Sequence, residues 1–139
     1  MRTKLGMFAT GVCLLCLGGV SGAHHSFSSE YDGTKTFKVN GVVSKVEWTN
    51  PHVRFYVDVN EADGKVTTWN IELASPSALS RNGWTSRTLK AGDKVTVDGY
   101  PGKVVPTRGN ARSVLLADGR SLFAGTADDS DPAAAGTRQ

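Results

Sequence analysis

Cysteine is nearly absent from this 139-residue chain, and its two cysteines, Cys13 and Cys16, both lie within the first twenty residues. A chain that loses this stretch has no disulfide and no thiolate ligand left to use. Cys13 follows Val12 and Cys16 follows Leu15. Both preceding residues are bulkier than the small residue a lipoprotein cleavage site wants, which argues against a lipid anchor. Charge of one sign is also missing. Sixteen Lys and Arg stand against thirteen Asp and Glu, and Arg2 and Lys4 belong to the opening segment. The remaining chain is near-neutral, which argues against a dedicated binder of nucleic acid or of an anionic membrane surface. No apolar run spans a bilayer: Leu5 to Val20 is short and broken by Gly6, Gly11, Gly18 and Gly19. A Gly-x-Ser-x-Gly elbow is absent as well. Glu30, Glu47 and Glu72 could serve as acid or base, but no pair has a spacing that places it. The expectation is a protein that is not an enzyme, with no catalytic residues.

What is present at the start is an export signal. Residues 1–23 read as a positive beginning, an apolar middle and a small-residue end, Ser21-Gly22-Ala23. The chain is therefore expected to be periplasmic or secreted. Cleavage after Ala23 puts His24 and His25 at the new amino terminus, and cleavage one residue earlier puts Ala23 ahead of them. Either start sets a free amine beside two imidazoles, a nitrogen donor set that suits Cu(II) or Ni(II) better than Zn(II). The imidazole anchors the metal and assists loss of backbone amide protons. A third imidazole, His52, completes a T-shaped clamp if the fold carries it to the terminus. The metal candidates are His24, His25 and His52, the cofactor Cu(II).

Residues 24–125 are expected to form one β-barrel domain with an extended amino-terminal arm. Thr126 to Gln139 reads as a disordered tail of small and polar residues. Phe37 to Trp48 is the longest strand. Its apolar phase changes from Phe37 and Val39 to Val42, Val46 and Trp48, with Gly41 at the change as a bulge or bend. Val53, Phe55, Val57 and Val59 alternate with polar residues, Ala62-Asp63-Gly64 turns the chain, and Thr67, Trp69, Ile71 and Leu73 share the face of the returning strand. Ser75 caps a helix over Pro76 to Asn82, which Gly83 ends and which is expected to pack on Trp69, Ile71, Val95 and Val97. A strand over Lys94 to Gly99, a Gly/Pro-rich loop over Tyr100 to Asn110, a strand over Ala111 to Ala117 and a short partner over Ser121 to Ala124 complete the order. That order fits an all-β, five- to six-stranded OB-like Greek-key barrel with one short helix. An open β-sandwich is the alternative.

A series of short motifs resembles a known family. His24-His25-Ser26-Phe27 with Tyr31-Asp32, then Val46-Glu47-Trp48-Thr49-Asn50-Pro51-His52, Ser75-Pro76, Gly83-Trp84, Gly92-Asp93-Lys94-Val95-Thr96-Val97 and Asp118-Gly119-Arg120 are similar to the exported bacterial family called domain of unknown function 6152. The resemblance runs from His24 to about Gly125 and implies export and a single domain. It supplies no catalytic residues. Arg54 departs from the aromatic that often follows the Asn-Pro-His motif, which argues against a uniform aromatic platform.

Two loops remain as ligand candidates. Trp48 and His52 flank the turn set by Asn50 and Pro51, and in an OB barrel the loop between the first two strands borders the usual ligand face. Lys103, Arg108 and Arg112 make the loop between the last two long strands basic, beside the same face. The ligand-face candidates are therefore Trp48, Asn50, His52, Arg54, Lys103, Arg108 and Arg112. Two functions compete: an exported, non-enzymatic barrel that handles Cu(II) through its processed histidines, and a periplasmic OB-like module. The module would take a peptide, glycan, anionic ligand or partner protein on the Trp48–His52 face. Neither implies nucleic acid or a membrane span after cleavage of the signal.

Overall fold

Strand β1 (Phe37–Glu47) serves two partners, and this sharing closes the barrel. Residues 37–42 pair with β4 (Lys94–Pro101), and residues 42–47 pair with β2 (Arg54–Asn60), both antiparallel. The chain is seen in a computed structural model that describes residues 27–125. The expected export signal at residues 1–23, His24, His25 and the 126–139 tail lie outside the described residues.

Gly41 stands where β1 passes from one partner to the other. A Cβ there would sit 2.4 Å from the Asp58 carbonyl oxygen and 2.5 Å from Val57 Cγ1, so only glycine allows this close approach. The phase change itself falls later than the sequence implied. Phe37, Val39 and Val43 share the inward side, Val43 being 1% exposed, whereas Val42 faces outward at 37%. The register slips between Val43 and Lys45. The extra residue there moves Val46 into the inward phase.

β2 runs through a turn at 62–64 into β3 (Val66–Glu72) with seven paired residues. Phe55, Val57, Ile71 and Leu73 are at most 1% exposed, so the alternation in the sequence maps directly onto the core. The full strand order is β3-β2-β1-β4-β5-β6, with β5 at Arg108–Leu116 and β6 at Ser121–Phe123. A parallel pairing of β3 with β5 closes five strands into a barrel and leaves β6 as an extra edge strand. Closure excludes the open sandwich and matches the OB topology.

The Gly/Pro-rich stretch over Tyr100 to Asn110 is not one long loop. Tyr100 and Pro101 belong to β4, and Arg108, Gly109 and Asn110 to β5, which leaves residues 102–107 as the loop. Gly109 is there for packing: a Cβ would lie 2.5 Å from the Phe37 ring where β5 meets β3.

Helix α1 (Pro76–Arg81) starts as expected, with the Ser75 hydroxyl accepting from Ala78 N–H and Pro76 at the first turn. A second helical turn, at 27–30, lies in the arm. The buried residue of α1 is Leu79, which joins the core together with Trp84 just beyond the helix. Trp84 is 2% exposed, and its indole N–H donates to the Phe123 carbonyl at 2.8 Å. Trp69, expected beneath the helix, is only partly buried and stacks on Phe37 with ring centroids 4.8 Å apart. The central core tryptophan is Trp84.

Candidate functional site

The same alternation that fills the barrel sends a second set of side chains to its outer wall. Pairing places Arg54 opposite Glu72 and Tyr56 opposite Asn70, then Asn70 opposite Arg108 and Glu72 opposite Asn110. These side chains share one face of β2, β3 and β5. A carboxylate on an outer wall is normally hydrated, yet Glu72 is 6% exposed. The amino-terminal arm covers it. Tyr31 closes the helical turn through N–H to the Phe27 carbonyl at 2.8 Å and bridges to Gly102, while Asp32 N–H donates to Pro101 at 2.9 Å. Lys103 holds the arm from the other side, its N–H to Glu30 O at 2.9 Å and its Nζ to Ser28 O at 2.5 Å. The Phe27 ring packs against Tyr31 and Tyr100 at 5.5 and 5.6 Å.

Under this cover four side chains gather around the Glu72 carboxylate. His52 Nδ1 lies 2.8 Å from Oε1; the Tyr31 hydroxyl donates to Oε2 at 3.0 Å; Arg54 Nη2 donates to Oε2 as well; and Arg108 Nη2 stands 3.8 Å away. Arg108 also pairs with Glu30 at 2.8 Å and lies over the Tyr31 ring at 5.8 Å. Arg54 reaches Asn70 Oδ1 at 3.3 Å. Two guanidiniums thus face two carboxylates, Glu30 and Glu72. A buried carboxylate is tolerated only with such pairing. Arg108 Nε and Asn110 Oδ1 are buried on this face without hydrogen-bond partners among the described residues.

Burial first, and then the Glu72 carboxylate, push the Tyr31 phenol up to about 12. The folded protein therefore holds this proton more tightly than the unfolded chain, whose tyrosines titrate near ~10. The contribution is complete below the unfolded value and fades as pH rises through the folded one. Stability is expected to fall between about pH 10 and 12. Tyr31→Phe should flatten that part of a denaturation-versus-pH profile, and an unchanged slope would mean Tyr31 does not carry it.

Of the ligand-face candidates, the structure joins His52, Arg54 and Arg108 through Glu72, and Lys103 through the arm. Trp48 is partly buried against the core, and Asn50 is exposed before a cis peptide bond to Pro51. Arg112 lies farther along β5, where its Nε donates to Asp98 at 3.2 Å. His24 and His25, the other metal candidates, lie outside the described residues. Among the described residues no three His, Cys, Asp or Glu side chains form a metal-holding group.

Sequence reasoning missed the centre of this cluster. Glu72 was visible only as one of three carboxylates with no partner, and Tyr31 only as part of a motif. The available signal was a lone acid in the run Ile71-Glu72-Leu73-Ala74, where a strand approaches a buried end.

The family model of domain of unknown function 6152, a family of unknown function, matches residues 11–111. The chain belongs to this family. No match is found among the curated proteins. Two crystal structures of a mitochondrial single-stranded DNA-binding protein from S. cerevisiae, Rim1, are similar in shape. The first has a TM-score of 0.47 at 10% identity over 60% of this chain and 93% of that one. The second, a selenomethionine form, has a TM-score of 0.44 at 12% identity over 59% and 92%. Neither likeness adds to the barrel already seen in this member of family 6152. No helix among its described residues is long and apolar enough to cross a membrane.

Proposed function

We propose that this family 6152 protein is an exported, non-enzymatic barrel that binds Cu(II) through its processed amino terminus, His24 or His25, and His52. The observation that carries the reading is the sharing of Glu72. The carboxylate that lies 2.8 Å from His52 Nδ1 also accepts from Tyr31, at the root of the arm. With Nδ1 held by Glu72, Nε2 is the ring nitrogen left for a metal, the carboxylate–histidine arrangement that orients metal-ligating imidazoles. His52 is about one-third exposed, enough for Nε2 to be reached from outside.

The arm supports the rest of the donor set. His25 precedes Phe27 by two residues, a step of at most ~7 Å, and the Phe27 ring packs on Tyr31. The reading requires the terminal amine and imidazole to extend from there to the His52 side of the wall. The near-neutral balance of Arg54, Arg108, Glu30 and Glu72 means the wall does not repel a cation. Removal of the signal after Ala23 supplies the amine, and an oxidising compartment outside the cytoplasm suits Cu(II).

The test is a copper titration of the processed chain at pH 7 beside a form that keeps Met ahead of His24. The processed chain should show one tight site that weakens as pH falls through the imidazole range, because protons compete for the same nitrogens. The extended form should lose that site. Equal, weak binding by both forms would reject the terminal site and leave the wall to a non-metal ligand.

A further inference from the structure

The other end of the barrel carries a second concave feature that the Glu72 wall does not involve. Asn110, opposite Glu72, and Leu116 are six residues apart on β5, roughly 20 Å for a strand. Beside Leu116, the segment after α1 and the turn between β5 and β6 enclose a cleft of about 440 Å³. Its charged residues are Arg87, Lys90, Lys94 and Arg120 against Asp93 and Asp118. Both acids are engaged by their own turns. Asp93 accepts from Lys90 N–H at 2.9 Å, and Asp118 accepts from Arg120 N–H at 3.0 Å and Arg120 Nε at 2.8 Å. These bonds hold the Asp118 carboxyl below its usual range. Arg87, Lys90 and Lys94 have no carboxylate partner among the described residues. The cleft therefore carries a net excess of two positive charges in a chain that is nearly neutral overall.

An apolar groove of about 360 Å³ adjoins this cleft and shares Lys94, Leu116 and Ala117 with it. It crosses the outer face of β1, β4 and β5. Val42 and Leu115 line it with 37% and 42% of their surface exposed. Basic cleft and apolar groove are continuous, with Lys94 at the junction.

We propose that these two features form one binding site for a single anionic amphiphile, a phosphorylated head group in the cleft with its hydrocarbon chain along the Val42–Leu115 groove. Charge complementarity selects the head and exposed aliphatic surface selects the tail. The charge is too local for a broad membrane-binding face, since the rest of the chain offers no basic excess.

The probes are dodecyl phosphate below its micellar concentration, inorganic phosphate and dodecyl maltoside, each titrated by calorimetry against the full mature chain. Dodecyl phosphate is expected to bind at least about tenfold more tightly than inorganic phosphate, because only it also buries apolar surface. Dodecyl maltoside, lacking the charge, should bind more weakly than dodecyl phosphate. Replacing the exposed pair by Lys90→Ala and Lys94→Ala should weaken dodecyl phosphate about tenfold. Leu115→Ser should weaken dodecyl phosphate and leave inorganic phosphate unchanged. Each substituted side chain is exposed, and unchanged thermal melting of the variants checks that they fold. Dodecyl phosphate binding no tighter than inorganic phosphate would overturn the proposal, as would unchanged affinity in the Lys90/Lys94 variant.

Discussion

Trp84→Ala is expected to lower the unfolding free energy by about 3–5 kcal/mol, the range for truncating a large aromatic in a closed core. Trp84 is 2% exposed and lies in one cluster with Leu79, Phe55 and Ile71. Its loss leaves a cavity between α1 and the barrel, and strands the Phe123 carbonyl that its indole N–H satisfies. Urea denaturation at neutral pH reads the effect. Trp69→Ala is the control: a partly buried ring stacked on Phe37 should cost less than half as much. Equal losses at both positions would show that the assignment of Trp84 as the central core tryptophan is wrong.

The second large effect is expected at Glu72. Glu72→Ala removes the carboxylate that lies against His52, Tyr31 and Arg54, and leaves Arg108 with Glu30 as its remaining carboxylate partner. Breaking a buried ion pair on one side costs about 3–5 kcal/mol when the orphaned charge stays dry. Here Arg54 and Arg108 keep 25% and 34% of their side-chain surface. They can rehydrate, so roughly 2–3 kcal/mol is expected. Glu72→Gln should recover part of this, since it keeps one oxygen acceptor but turns an amide donor toward other donors. The proposed copper site adds a second readout. Losing the group that orients a ligating imidazole typically weakens metal affinity 10–100-fold. Glu72→Ala should therefore weaken copper binding by that order in protein that remains folded. Copper binding unchanged in the folded variant would separate Glu72 from the metal site.

Much of the barrel could be read from residue order alone, because a half-buried strand writes its period into the sequence. Val53 to Val59 and Thr67 to Leu73 alternate cleanly, and Ser75-Pro76 with Gly83 brackets a helix found at Pro76–Arg81. Reading failed where tertiary pairing set the local rule. The slip near Ser44 shows in no propensity, since any small polar residue can occupy an unpaired strand position. Gly109 and its neighbours resemble a loop until β3 arrives to pair with them. The site was half legible. His52 and Arg108 follow from loop positions and Arg54 from its departure after the Asn-Pro-His motif, but the residue that joins them does not. Glu72 acquires its meaning from the arm, and nothing in the sequence around Tyr31 announces that the arm folds back over β3.

The most direct measurement of the metal reading is pulsed electron paramagnetic resonance of the processed chain with one equivalent of Cu(II), beside His52→Ala. His52 is partly exposed and its loss leaves Glu72 with Tyr31 and Arg54 as donors, so the variant is expected to fold. The processed wild-type chain should show imidazole coupling from a terminal histidine and from His52, and His52→Ala should show one imidazole fewer. Identical spectra from the two proteins would contradict a copper site shared between the arm and the wall.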